Sequence, residues 1–148
     1  MRLPNQMVID ASVLIKYVVP ENETPVVQQI IHEALANDQS VLHIPDLIYI
    51  ECANILWKKV QRGHIDVNTA DAGLHYLSEI ELTTTPITKL MTSALSLACA
   101  YKISAYDACY VALAAQHRLP LLTADRKLIK QLAGTSHQLI TIDELCGY

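Results

Sequence analysis

At 148 residues, with 51% hydrophobic and 18% charged residues, the chain is long enough to fold as one domain with a substantial core, and its composition excludes intrinsic disorder. Its apolar runs stop short of the roughly 18 residues that cross a bilayer, and polar residues near the N-terminus replace the apolar stretch of a signal peptide. The formal net charge of −4 argues against a protein that binds nucleic acid through a broadly basic surface. We therefore expect one soluble, cytoplasmic domain over residues 1–148 that has no membrane partner.

Short β-branched or aliphatic runs alternate with longer amphipathic stretches, which is typical of a parallel sheet covered by helices. In chain order, the first half is predicted to contain a strand at Met7–Asp10, a short helix after Ser12, a helix at Thr24–Ala36, a strand at Val41–Ile44, and helices at Asp46–Arg62 and Asp66–Glu79. The second half is predicted to contain a strand at Glu81–Thr84, helices at Ile87–Tyr101 and Ala105–His117, a strand at Leu121–Thr123, a helix at Asp125–Leu132 and a strand at Leu139–Thr141. The predicted fold class is α/β, with a parallel sheet of about five strands.

The cysteine and histidine spacings predict neither disulfides nor zinc. The four cysteines include no Cys-x-x-Cys pair, and three of them lie in apolar helical patterns, so we expect reduced thiols. The six histidines lack the His-Glu-x-x-His spacing and the clustering that zinc sites show.

Four acidic residues follow predicted strands or lie on the helices that cover the sheet: Asp10, Glu51, Asp107 and Asp125. Asp10 ends the first strand, Asp125 follows the fourth, and Asp107 lies in the first turn of a helix. Strand carboxyl ends and helix N-termini converge at one edge of a parallel sheet, so these three side chains can meet there. Glu51 can join them from the inner face of its helix, with Asn54 three residues later on the same face.

A divalent metal would account for this accumulation of carboxylates. A carboxylate among apolar residues costs several kcal/mol of desolvation unless it is paired, and no matching set of buried Lys or Arg is evident. Mg²⁺ and Mn²⁺ prefer oxygen ligands, and two ions about 3.5–4 Å apart can activate water and stabilise the leaving oxygen in phosphodiester cleavage. Two bound ions would also offset the net charge, which weakens the objection to a nucleic-acid substrate. One ion and two ions are both compatible with the sequence.

Each of these residues also has a structural interpretation. Asp107 and Asp125 can be helix caps, worth about 1 kcal/mol each, and Glu51 can be a half-exposed helix residue. Ser12 and Thr123 can be an N-cap and a strand end, or they can hydrogen-bond to Asp10 and Asp125 and orient these carboxylates. Asp10 is harder to explain structurally, because it interrupts an apolar run.

Four segments together resemble a PIN domain, and specifically the small VapC-type toxins of prokaryotic toxin–antitoxin pairs: VIDASVLIKY (8–17), ECAN (51–54), YDACYVALA (106–114) and LTADR (122–126). The resemblance implies a three-layer α/β/α sandwich, Mg²⁺- or Mn²⁺-dependent endoribonuclease activity, inhibition by a cognate antitoxin, and often a homodimer. It implies that Asp10, Glu51, Asp107 and Asp125 are the catalytic metal ligands. Ser12, Asn54 and Thr123 match the accompanying polar positions.

Two other classes of protein are alternatives to this resemblance. A phosphoaspartate domain would need adjacent acids or an Asp-x-Asp sequence after the first strand, whereas Asp10 is followed by Ala11 and Ser12. A non-catalytic interaction module would retain the acids only as helix caps.

Two predicted helices, Thr24–Ala36 and Asp46–Arg62, carry apolar residues on more than one face. An apolar groove between them, including Val27 and Ile31, would suit either an amphipathic antitoxin segment or a second copy of the chain.

Overall fold

The structure of the protein, a computed structural model, describes residues 3–147, so Met1, Arg2 and Tyr148 of the expected domain lie outside the described residues. It contains the strands β1 (Gln6–Ile9), β2 (Val41–Pro45), β3 (Thr83–Thr85), β4 (Leu121–Thr123) and β5 (Leu139–Thr141). They form one sheet in the order β3-β2-β1-β4-β5, and every neighbouring pair is parallel. The prediction of a five-stranded parallel sheet is therefore confirmed.

The α-helices are α1 (Ala11–Val18), α2 (Thr24–Leu35), α3 (Ile48–Gln61), α4 (Val67–Glu79), α5 (Met91–Tyr101), α6 (Ala105–His117), α7 (Arg126–Leu132) and α8 (Ile142–Cys146). Parallel crossovers are right-handed, so the connections from β1 to β3 place α1–α4 on one face of the sheet. The connections that return to β4 and β5 place α5–α7 on the other face. The result is a three-layer α/β/α sandwich. Among residues 3–147, no helix combines the length and the apolar character needed to span a membrane.

The middle helix of the second layer, α6, is buried on all sides along Ala108–Ala114, because it packs on β1, β2 and β4 and is covered by α5. Three alanines in this segment allow the close approach of the sheet, while Tyr110 and Leu113 fill the core. Fully burying a side chain such as that of Leu113 stabilises the fold by about 1.5–3 kcal/mol. The N-terminus of α6 is therefore held rigidly at the carboxyl edge of the sheet.

Most elements differ from the sequence predictions by one or two residues at a boundary; β3, for example, spans Thr83–Thr85 and not Glu81–Thr84. Three differences matter more. The first strand ends at Ile9 and α1 starts at Ala11, so Ser12 lies inside that helix and does not precede it. The predicted helix Ile87–Tyr101 is divided into a 3₁₀ helix at Ile87–Lys89 and α5, with a break at the buried Leu90. Helix α8 was not predicted, although Thr141 and Glu144 form a capping box that has a recognisable sequence pattern.

Candidate active site

Asp10 occupies the junction between β1 and α1, where it is the N-cap of the helix and is 5% exposed. Its Oδ1 accepts hydrogen bonds from the backbone N–H of Val13 at 3.2 Å and from the Ser12 hydroxyl at 2.5 Å, while Oδ2 accepts from the Thr123 hydroxyl. Burial raises the pKa of Asp10 to about 6, despite the opposing effect of these three hydrogen bonds. The carboxylate is fixed in position yet energetically costly when it is charged.

The hydroxyls of Ser12 and Thr123 both serve Asp10. β1 and β4 pair with Ile9 opposite Leu122, which places Asp10 beside Thr123. The Ser12 Oγ also accepts from the N–H of Ala124, and the Thr123 Oγ1 accepts from the N–H of Asp125, both at 3.0 Å. These hydroxyls therefore join the start of α1 to the end of β4. The Thr123 hydroxyl contacts the backbone N–H of Asp125 and not its carboxylate. The N-cap of α1 is Asp10, not Ser12.

Asp125 caps α7 with a single carboxylate oxygen. Its Oδ1 accepts from the N–H groups of Lys127 and Leu128 at 2.9 and 3.1 Å. Over residues 3–147, no hydrogen bond reaches its Oδ2. The capping interpretation is thus correct for Asp125, but capping leaves one oxygen available to a ligand.

Asp107 is half-buried in the first turn of α6, and Ser104, not Asp107, is the N-cap of that helix. The Ser104 hydroxyl accepts from the backbone N–H of Asp107 at 3.1 Å. Burial raises the pKa of the Asp107 carboxyl, and the charge of Asp125 raises it further, while Ser104 and Lys127 lower it. The Asp107 carboxylate is therefore not needed to begin the helix.

Glu51 lies in the first turn of α3 and is half-buried. Its Oε1 accepts a hydrogen bond from the Tyr110 hydroxyl at 2.7 Å. Burial raises the pKa of Glu51, the hydrogen bond from Tyr110 lowers it, and the charge of Asp107 raises it. Asn54, one turn later on α3, is exposed, and within residues 3–147 its side chain makes no hydrogen bond to the acids.

The four carboxylates influence one another through their charges. The charge of Asp125 raises the pKa of both Asp10 and Asp107, and the charge of Asp107 raises that of Glu51. In the described part of the chain, none of the four forms an ion pair. The fold therefore brings Asp10, Glu51, Asp107 and Asp125 to one edge of the sheet, where no lysine or arginine of residues 3–147 is salt-bridged to them.

This set of donors fits a hard divalent cation in chemistry and charge, since all of the donor atoms are carboxylate oxygens. As the side chains stand, residues 3–147 contain no group of three or more His, Cys, Asp or Glu side chains close enough to hold an ion directly. Binding would require rotation of acidic side chains, or the bridging waters that Mg²⁺ commonly retains.

Sequence reasoning missed Tyr110. Its signal was its position three residues after Asp107, because residues i and i+3 of a helix share a face. A buried tyrosine that shares a helix face with a site acid is therefore a candidate hydrogen-bond donor to that site.

The prediction of an apolar groove between α2 and α3 is wrong. Both helices pack on α1, and the apolar face of α2 is buried in that packing. Val27 and Ile31 are buried, so charged substitutions there would disrupt the core and would not report on a surface. An open groove of about 310 Å³ lies instead between α3 and α4, with Trp57 and Val67 exposed along it.

Comparison with known proteins identifies relatives along most of the chain. A family model described as PIN domain matches residues 7–134. Ribonuclease VapC3 from Pyrobaculum aerophilum is 33% identical over 128 residues, covering 85% of this chain and 94% of that protein. A Pyrobaculum aerophilum protein of known crystal structure has a TM-score of 0.66 at 23% identity, covering 97% of this chain and 90% of that one. A toxin–antitoxin complex from Klebsiella pneumoniae has a TM-score of 0.61 at 20% identity, with 92% and 97% coverage. The two structures establish the fold.

Proposed function

This chain belongs to the PIN domain family, and from that membership we propose that it is an endoribonuclease, the toxin of a type II toxin–antitoxin pair. Its similarity to Ribonuclease VapC3 supports this proposal, since the match extends over nearly all of that protein. The partners are RNA as substrate and a cognate antitoxin as inhibitor. The active form is a cytoplasmic homodimer of single-domain chains.

The observation that carries the proposal is the gathering of four carboxylates that, within residues 3–147, form no ion pair, although the charge of Lys127 acts on Asp107. We assign Asp10, Glu51, Asp107 and Asp125 as ligands of one or two Mg²⁺ or Mn²⁺ ions. Bound there, an ion supplies the Lewis acidity and the positive charge that phosphodiester hydrolysis needs. The chain itself orients the ligands: Ser12 and Thr123 hold Asp10, and the cap of α7 holds one oxygen of Asp125.

The position of Asp10 also argues against phosphoaspartate chemistry. A phosphate acceptor needs a carboxylate oxygen that is accessible to an incoming phosphoryl group, whereas both oxygens of Asp10 accept internal hydrogen bonds and the side chain is buried. Metal ligation remains open to Asp10, because, within residues 3–147, its Oδ2 accepts only the hydrogen bond from Thr123 and retains a second lone pair.

The test is cleavage of RNA by the purified protein in Mg²⁺ or Mn²⁺, with EDTA as the metal-free control. Asp10→Asn keeps the shape of the side chain but removes its charge, so cleavage should fall to background. Asp38→Asn is the matched control, because Asp38 is exposed and precedes β2 at the opposite edge of the sheet. Cleavage that survives both EDTA and Asp10→Asn would overturn the proposal.

A further inference from the structure

Tyr110 places a phenol inside the core, where the side chain is 1% exposed. The chain contains seven tyrosines and no phenylalanine, so tyrosine must supply its buried aromatic rings in any case. If Tyr110 only filled space, its hydroxyl could donate to any nearby acceptor, such as a backbone carbonyl. Instead it donates to Oε1 of Glu51 at 2.7 Å, across 59 residues of sequence and between two helices.

The direction of this hydrogen bond is settled by the chemistry of the two groups. An ionised carboxylate only accepts, so the proton lies on the phenol oxygen. The Tyr110 hydroxyl is therefore the donor and Glu51 Oε1 the acceptor in this contact.

The contact restricts a side chain that would otherwise be mobile. Glu51 is half-buried on the first turn of α3, and a glutamate has several rotatable bonds. With Oε1 taken by Tyr110, the second oxygen of Glu51 remains for another ligand. Asp10 is also restrained by hydroxyls, although those of Ser12 and Thr123 engage both of its oxygens.

The location of Tyr110 on α6 adds a second consequence. Asp107 and Tyr110 are three residues apart on one rigid, buried helix, so they lie on the same face. Helix α6 thus carries one acid of the site and also the group that restrains another acid, which belongs to α3. The relative placement of Glu51 and Asp107 follows from the position of this single helix.

We propose that Tyr110 is a positioning residue of the metal site, whose hydroxyl holds one oxygen of Glu51 and leaves the other for the ion. This inference rests on the proposed function, since it assumes that Glu51 is a ligand. Partners that orient metal ligands typically contribute 10–100-fold to metal affinity or activity. A hydroxyl that only fills space would contribute to neither.

The experiment compares Mn²⁺ binding by wild-type protein and by Tyr110→Phe, measured by isothermal titration calorimetry and by Mn²⁺ electron paramagnetic resonance without RNA. The variant should fold normally and bind Mn²⁺ about 10–100-fold more weakly. RNA cleavage by the variant should recover at saturating Mn²⁺, because the ligands themselves are intact. Tyr17→Phe is the matched control, since it removes another buried tyrosine hydroxyl, one that contacts His32 at 2.9 Å on the other face of the sheet.

A double-mutant comparison tests whether Tyr110 affects Mn²⁺ affinity through Glu51. In a Glu51→Gln background, Tyr110→Phe should cause no further loss of Mn²⁺ affinity, because the group that it positions is no longer a ligand. Equal Mn²⁺ affinity in wild type and Tyr110→Phe would overturn the inference while leaving the proposed function intact. Wild-type protein that binds no Mn²⁺ would overturn both.

If Tyr110→Phe does not fold, a crystal structure of wild-type protein with Mn²⁺ decides the matter. Glu51 should keep Oε1 on the Tyr110 hydroxyl and contact the ion through Oε2. A Glu51 side chain that leaves Tyr110 to reach the ion would overturn the inference.

Discussion

Two acidic clusters in this protein differ in what faces their carboxylates. On the helical layer that contains α1 and α3, Glu21 contacts the Nζ atoms of Lys16 and Lys59 at 2.6 and 3.0 Å, and Glu23 contacts Lys16 at 3.4 Å. Although burial opposes the effect, these ammonium groups lower the pKa of Glu21. At the carboxyl edge of the sheet, the pKa values of Asp10, Glu51 and Asp107 are all raised.

The chain has 11 Lys and Arg residues for 15 acidic ones, and the fold places two of these lysines, Lys16 and Lys59, against Glu21. In the cluster around Glu21, lysine ammonium groups accompany the carboxylates. At the sheet edge the pKa values are raised, a pattern that is typical of functional sites.

The largest expected effect is on the pH dependence of folding stability, to which the two clusters contribute with opposite signs. The pKa of Asp10 rises from 3.8 to about 6, so between these values the folded protein binds a proton that the unfolded chain releases. The contribution of Asp10 to the free energy of unfolding is therefore fully present below pH 3.8 and is lost as the pH rises through about 6. At about 1.4 kcal/mol per pKa unit, the loss amounts to at most about 3 kcal/mol.

Urea unfolding in EDTA at several pH values between about 4.5 and 7.5 measures this effect against Asp10→Asn, which cannot titrate. The free energy of unfolding of wild type relative to Asp10→Asn should fall as the pH rises. His43, whose pKa burial and His117 lower, is present in both proteins, so its own pH dependence cancels. A difference in the free energy of unfolding that does not vary with pH would show that the pKa of Asp10 is not raised in the folded protein.

The next effect is stabilisation by metal at the acidic edge. A ligand at 100 times its dissociation constant that binds only the folded state stabilises it by about 2.7 kcal/mol, so Mn²⁺ should raise the melting temperature of wild type. Asp107→Ala should remove most of this rise, and the exposed control Asp38→Ala should retain it. Equal shifts in wild type and Asp107→Ala would exclude Asp107 as a ligand.

The smallest effect belongs to the paired cluster. Glu21→Gln should cost only about 0.2–1 kcal/mol, because its ion pairs are partly exposed. The pKa of Glu21 is lowered in the fold, so its contribution is present above the unfolded pKa of 4.5 and is lost as the pH falls through the folded value.

The same Glu21→Gln variant should leave Mn²⁺ affinity unchanged, and urea unfolding with calorimetry measures both quantities. Glu81→Gln, at an exposed position, is the control for the loss of a negative charge. Weakened Mn²⁺ binding in Glu21→Gln alone would mean that the two clusters are not independent.

Local sequence signals were sufficient for most of the fold. The helix predicted at Ala105–His117 has these bounds because Ser104 caps its start and Arg118, in the left-handed conformation, ends it. The strands at Leu121–Thr123 and Leu139–Thr141 were likewise predicted from short apolar runs between turns. The break at Leu90 could not be predicted in this way, since this leucine is buried by packing and no local breaker follows it.

The sequence by itself determined which acids are candidate metal ligands and which elements carry them, because hydrophobic periodicity and turn residues are local features of the chain. Only the tertiary structure decided the partners of these acids. Thr123 reaches Asp10 across 113 residues and Tyr110 reaches Glu51 across 59. Such contacts depend on the pairing of β1 with β4 and on the packing of α6 in the core, and no local pattern encodes them.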